Sequence, residues 1–246
     1  MKRKQALVIQ PGAFGDIIEC APIAKYYYDN GYDITWPSRE EYSPLFRYFE
    51  YINHETIPEV QIHSDWLKSD VDKILKLYSL KKYDIVLNLA DRGPHATDQR
   101  ANEKSASARS KYRMANLPFS LKYKLDWKRV EYREKELYNK IVGDLGDYIF
   151  CHVKSSKGHV APMPEIKNRS VVTMDIVEDY QIPDWFLIIK EAKEIYCTES
   201  SVHCFIDNVC QEHFPNTPKF LLRREGLPPG VSYTESPTWD KRWLSL

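Results

Sequence analysis

The sequence predicts an α/β protein made of two parallel-sheet units in succession. Three observations carry that expectation. Short apolar runs alternate with helix-length amphipathic stretches along the whole chain, the pattern of β-α-β units. The strand-like runs are continuously apolar, as strands buried on both faces are. The alternation breaks over an irregular stretch at 96–128 and then restarts.

Taken in order, residues 6–9 read as the first strand. They run into a loop holding Gly12 and Gly15, and an apolar-rich helix follows with Ile17, Ile18, Ala21, Ile23 and Ala24. Residues 32–36 read as a second strand, Pro37-Ser38 as a turn, 39–50 as helical and 52–57 as a third strand. Ser64 is placed to cap a helix over 65–79, whose apolar residues recur at helical spacing. Residues 83–90, Tyr-Asp-Ile-Val-Leu-Asn-Leu-Ala, form the clearest buried strand, ending at Asp91-Arg92-Gly93-Pro94-His95. A helix over 130–144 separates the halves. Strands at 148–153, 170–175, 194–197 and 219–223 then alternate with helices at 183–192 and 201–210, the strand at 219–223 closing the chain. The expected division is 1–128, a linker helix in 129–147, and 148–246. The crevice between two such units is the default ligand site.

At 246 residues the chain is long enough to bury a substantial core. Hydrophobic content of 43% and charged content of 28% exclude a disordered chain. No apolar run approaches the ~20 residues a membrane span needs. The basic start Met1-Lys2-Arg3-Lys4 precedes an apolar run that breaks at Gln10-Pro11-Gly12, too short for a secretory signal core. Five cysteines without a C-x-x-C pair suggest reduced, buried thiols. The expected location is therefore cytoplasmic, including the inner-membrane periphery, or a host cytoplasm for a phage-encoded chain. Cys151-His152 and His203-Cys204 lack zinc spacing, so no metal is expected.

Formal net charge is zero, but residues 100–135 carry eleven basic and four acidic side chains, leaving that segment at +7. Such a run is either a solvated connector or a positive face for a polyanion such as DNA. Aromatics interleave it at Tyr112, Phe119, Tyr123, Trp127 and Tyr132.

Three polar loops follow predicted parallel strands, where ligands of open α/β sheets collect. The first contains Gly15 and Asp16. Asp16 with Glu19 has the spacing of a capping box, and its carboxylate is equally suited to a general base. The second, Lys154-Ser155-Ser156-Lys157-Gly158, combines two cations, two hydroxyls and a glycine, a composition suited to diphosphate. The third is Thr198-Glu199-Ser200-Ser201-Val202-His203. Ser200 or Ser201 can cap the next helix, whose N-terminus attracts phosphate, with Glu199 available to ribose hydroxyls and His203 in the first turn. Gly12-x-x-Gly15 is neither a dinucleotide fingerprint nor a P-loop, and no ribose-binding acid ends the second strand, which argues against a nicotinamide enzyme. Asp70-Val71-Asp72 has the form of an Asp-x-Asp metal motif but falls in an amphipathic helix and reads as its solvated face.

The segment 7–22, Leu-Val-Ile-Gln-Pro-Gly-Ala-Phe-Gly-Asp-Ile-Ile-Glu-Cys-Ala-Pro, resembles the opening of the heptosyltransferase-like glycosyltransferases. The segment 192–203 is similar to that family's late strand followed by Asp-Ser-Gly-x-x-His, with Thr198-Glu199-Ser200 where the family has Asp-Ser-Gly. The resemblance implies a GT-B fold of two Rossmann-like domains with parallel sheets facing across a cleft. It implies an acceptor-side domain at 1–128 and a nucleotide-sugar-binding domain at 148–246. It further implies inverting, metal-independent transfer to an acceptor hydroxyl, of a surface glycan or of a modified base in phage-type DNA. Asp16 then corresponds to the general base, and Gly15 belongs with the donor-binding residues. Ser155, Ser156, Lys157, Glu199, Ser200, Ser201 and His203 correspond to the donor site, and the nucleotide sugar is a co-substrate rather than a cofactor. The competing expectation is a non-catalytic module that binds a nucleotide or glycan.

Overall fold

The computed structural model describes residues 2–57, 66–90, 108–154, 160–163, 165–222 and 243–245. The chain divides into two compact units, Met1–Lys128 and Arg129–Leu246.

In the first unit, β1 (Lys4–Ile9) leads into α1 (Phe14–Asp29), then β2 (Tyr32–Ser38), the short α2 (Ser43–Phe46), β3 (Ile52–Thr56), α3 (Trp66–Leu77), β4 (Ile85–Asn88) and α4 (Ala108–Met114). The four strands are parallel, in the order β3-β2-β1-β4. β1 is central, and Ala6, Leu7, Val8 and Ile9 are fully buried, which explains their unbroken apolar run. Leu7 and Ile9 pack with Val71 and Ile74 of α3 and with Ile57 and Ala90. By strand alternation Ala6 and Val8 face the opposite layer. Strand order reverses at β1: the chain moves outward through β2 and β3, then returns by α3 to the other side of β1. The β1/β4 carboxyl ends are therefore the topological switch point of a 3-2-1-4 Rossmann order.

In the second unit, α5 (Glu131–Ile141) precedes β5 (Tyr148–His152), β6 (Ser170–Thr173), α6 (Phe186–Glu191), β7 (Glu194–Thr198), α7 (Ser201–His213), β8 (Lys219–Leu222) and β9 (Trp243–Ser245). The sheet is again parallel, in the order β6-β5-β7-β8-β9. That is the flavodoxin-like 2-1-3-4-5 arrangement, and its switch point lies between β5 and β7. α5, the helix expected as a linker, packs within this unit: Arg133 pairs with the fully buried Asp184 at 3.1 Å.

Several expectations are corrected. Pro37 and Ser38 continue β2 rather than turning. They lie beyond the β1 register and pair only with β3 on one side, where a missing N–H is tolerated. Residues 39–50 hold a 3₁₀ turn at Glu40–Tyr42 and the four-residue α2 in place of one helix. β8 is not the last strand, because β9 adds to it in parallel. Asp70 is not on a solvated face. It is fully buried, and its Oδ2 accepts from Arg39 Nε at 2.7 Å. Among the described residues no group of three or more His, Cys, Asp and Glu side chains is placed to hold a metal.

Residues 108–135 of the basic segment are described. It is divided between the two units, and many of its charges are neutralised internally. Lys111 and Lys122 are 1% and 3% exposed and pair with Asp16 and Glu19. Lys128, Arg129, Arg133 and Lys135 pair with Glu50, Glu134, Asp184 and Glu131. Tyr112 and Trp127 belong to the core. Among the described residues no helix is long and apolar enough to cross a membrane. Cys20, Cys151, Cys197 and Cys210 are buried thiols, and Cys204 is half-buried.

Candidate functional site

At the carboxyl end of β1 the chain must leave the sheet, and its turn is fastened from two sides. The Trp36 indole donates to the Gln10 carbonyl at 2.7 Å, and the Gln10 amide donates to the Gly12 carbonyl. The Arg39 backbone N–H reaches the Pro11 carbonyl at 3.5 Å. Gly12 lets the Tyr42 ring, which stacks edge-on against Phe14, come close: an added Cβ would lie 2.3 Å from that ring, which would have to shift.

α1 begins at Phe14, so Gly15 is its second residue and Asp16 its third. The capping-box expectation for Asp16 is corrected: the N-cap is Ala13, and no side chain caps this helix. An acidic group in a first turn is favoured by the helix dipole without acting as a cap. The Asp16 side chain is 37% exposed, and its Oδ1 accepts from the ammonium of Lys111. Lys111 also lies 3.9 Å from Glu19 Oε2, and Lys122 donates to Glu19 Oε1 at 3.3 Å. The Tyr112 hydroxyl donates to the Glu19 carbonyl at 3.0 Å, joining α4 to α1 a second time. Burial alone lowers the Lys111 ammonium, but the neighbouring Asp16, Cys20 and Glu19 groups outweigh it and hold Lys111 above the usual lysine range. Burial pushes the Cys20 thiol up to about 12, so it stays protonated.

These partners were not singled out in the sequence. Lys111 lies in a charge-rich stretch, but Ala108, Tyr112 and Ala115 flank it at helical spacing and are all buried. A lysine on that apolar stripe is the signal that was present.

The second cluster lies at the β5/β7 switch point. β7 ends at Thr198, which is fully buried; its Oγ1 has no hydrogen-bond partner among the described residues. Ser200 caps α7: its Oγ accepts from the His203 N–H at 3.2 Å and donates to the Thr198 carbonyl at 3.1 Å. Glu199, Ser200 and Ser201 are half-buried at the junction. His203 is buried, its ring 4.6 Å from the Trp243 ring of β9. His152 ends β5 in register with Cys197, and burial pushes its imidazole down to about 4. Ser155, Ser156 and Lys157 lie outside the described residues.

Each unit thus gathers candidate residues at its own switch point. Asp16 with its lysine stands at one. The α7 N-terminus with Thr198, Glu199, Ser200 and Ser201 stands at the other.

No protein-family model matches the chain, and no curated protein matches it by sequence. Solved structures do match it in shape. The glycosyl transferase family 9 protein from Veillonella parvula superposes with a TM-score of 0.54 at 13% identity, covering 100% of this chain and 87% of the other. The E. coli ADP-heptose LPS heptosyltransferase II superposes with a TM-score of 0.52 at 12% identity, covering 98% and 90%. The fold is therefore the α/β GT-B type, with two Rossmann-like units.

Proposed function

We propose that this chain is an inverting glycosyltransferase. It moves a sugar from a nucleotide-sugar donor to an acceptor hydroxyl, with no metal in the transfer. The observation that carries this reading is the placement of Asp16: a part-exposed carboxylate at the β1/β4 switch point, held by a buried ammonium, in a chain with the fold of known glycosyltransferases. A base fixed beside the strand ends is what such a displacement requires.

In this reading Asp16 takes the proton of the acceptor hydroxyl as its oxygen bonds to the anomeric carbon. The bond from that carbon to the nucleotide breaks in line, and its electron pair leaves on the diphosphate. The α7 N-terminus supports that charge through backbone N–H groups and the helix dipole. Ser201, with Ser155, Ser156 and Lys157, supplies further donors. Glu199 accepts from ribose hydroxyls. The acceptor is a surface glycan hydroxyl. A nucleic-acid acceptor is the weaker option, because six basic side chains of the segment that motivated it are held in internal ion pairs.

The test is a thermal-shift panel of nucleoside diphosphates and nucleotide sugars, with and without Mg²⁺ or Mn²⁺. Nucleoside-diphosphate release from the donor that binds is then measured for the wild type and Asp16→Asn. A metal-independent shift with one donor, and release reduced at least ~10²-fold by Asp16→Asn, support the reading. A shift without release favours a non-catalytic nucleotide- or glycan-binding module. Equal release by Asp16→Asn removes Asp16 as the base.

A further inference from the structure

We infer that Lys111 is a positioning residue for Asp16: a buried ammonium, delivered from α4, that holds one oxygen of the carboxylate and leaves the other to the substrate. The inference rests on the glycosyltransferase reading.

Burying an ammonium is unfavourable unless a carboxylate compensates it. Lys111 is 1% exposed, so its partner matters. A cation serving only to staple α4 to α1 belongs on Glu19, whose side chain is 14% exposed. Instead it hydrogen-bonds Asp16, the more exposed of the two at 37%, and stands 3.9 Å from Glu19. Glu19 has its own cation in Lys122, itself nearly buried. The four groups alternate in sign as Asp16, Lys111, Glu19 and Lys122. The staple between helices is already present without Asp16, through the Tyr112 hydroxyl on the Glu19 carbonyl. The bond from Lys111 to Asp16 is thus directed outward, from a buried cation to an exposed anion.

The geometry divides the Asp16 carboxylate. Oδ1 accepts from Lys111, and among the described residues no protein donor bonds Oδ2. A carboxylate held by one oxygen cannot turn freely about its side-chain bonds, so the second oxygen keeps one direction. Orientation of that kind is worth about 10²-fold in rate when lost. The charged and titratable groups facing the pair are Glu19 and Cys20 of α1 and Lys122 of the turn at Phe119–Tyr123. Once Asp16 takes up a proton, its attraction for Lys111 falls, and Glu19 stands within reach to keep the ammonium paired.

The experiment compares Lys111→Met, Lys111→Arg and Asp16→Asn in kcat and donor KM for nucleoside-diphosphate release from the donor found by thermal shift. The expected result has two parts. Lys111→Met lowers kcat about 10²-fold with the donor KM unchanged. Lys111→Arg restores only part of kcat, since the charge returns but the fork cannot reproduce the geometry. If Lys111→Met is too unstable to assay, Lys111→Arg carries the kcat comparison. Loss of activity in Asp16→Asn with wild-type kcat in Lys111→Met overturns this inference and spares the transferase reading. Absence of release with every donor overturns both.

Discussion

Replacing Arg39 by methionine tests the buried ion pair that ties the end of β2 to α3. Asp70 is fully buried on α3, and its Oδ2 accepts from Arg39 Nε at 2.7 Å; the arginine side chain is 13% exposed. With charge centres about 4 Å apart and an effective dielectric of about 20, the attraction is about 4 kcal/mol. Methionine keeps much of the apolar stem but leaves a carboxylate buried without its cation. The expected loss is therefore about 3–5 kcal/mol, the range for breaking one side of a buried pair. Urea unfolding read by circular dichroism should show a midpoint about 2 M lower for the first unit. The second arm removes the carboxylate as well. Arg39→Met with Asp70→Leu should recover most of the loss, because two apolar groups replace two charges. A loss under about 1 kcal/mol in the single variant, or a double variant no more stable than the single one, would refute this account of the pair.

Other consequences follow from local geometry. His152 is neutral in the fold and titrates near 6.5 when unfolded, so the unfolded chain binds the extra proton first; with the folded value at about 4, stability should fall by about 2 kcal/mol between pH 7 and pH 5, and urea midpoints of His152→Asn should lose that dependence. Ser200→Ala removes the cap of α7 and should cost about 1 kcal/mol by thermal unfolding, while Ser200→Asp should retain most of it. Gly12→Ala drives a methyl group into the Tyr42 ring and should cost about 1–3 kcal/mol, part of it recovered by Tyr42→Leu in the same chain.

The strands were legible because burial on both faces writes a run that needs no partner to be read: β1 and β5 are such runs. What escaped was set by distant contacts. Asp16 with Glu19 has capping-box spacing, yet the helix starts earlier, where Phe14 packs against Tyr42, so the cap position falls on Ala13. Asp70 reads as solvated from charge alone, but its place beside Val71 and Ile74 buries it, and Arg39 makes that burial possible. Lys111 was hidden in the same way, since its partner lies 95 residues earlier in the chain. β9 is three residues long, too short for any periodicity to show. Buried charges are the common failure: local sequence marks a charge as exposed, and only a partner from another element reverses that.

The two switch points mark where each sheet offers a crevice. In each sheet the helices leave opposite faces beside the strand where order reverses, and a crevice forms there from backbone direction alone. Side chains then differ in how replaceable they are. At the α7 N-terminus the groups suited to a diphosphate are backbone N–H donors, and these remain whatever the sequence, provided the helix is capped where Ser200 caps it. Thr198-Glu199-Ser200 therefore leaves those backbone donors in place, with Ser200 as the cap. At the first switch point the reverse holds. A general base is a side chain, no backbone group can stand in for it, and its direction must be imposed by neighbours. In the proposed reading the buried Lys111 supplies that constraint for Asp16, and the two clusters are built differently to match, one from backbone and a cap, the other from a chain of alternating charges.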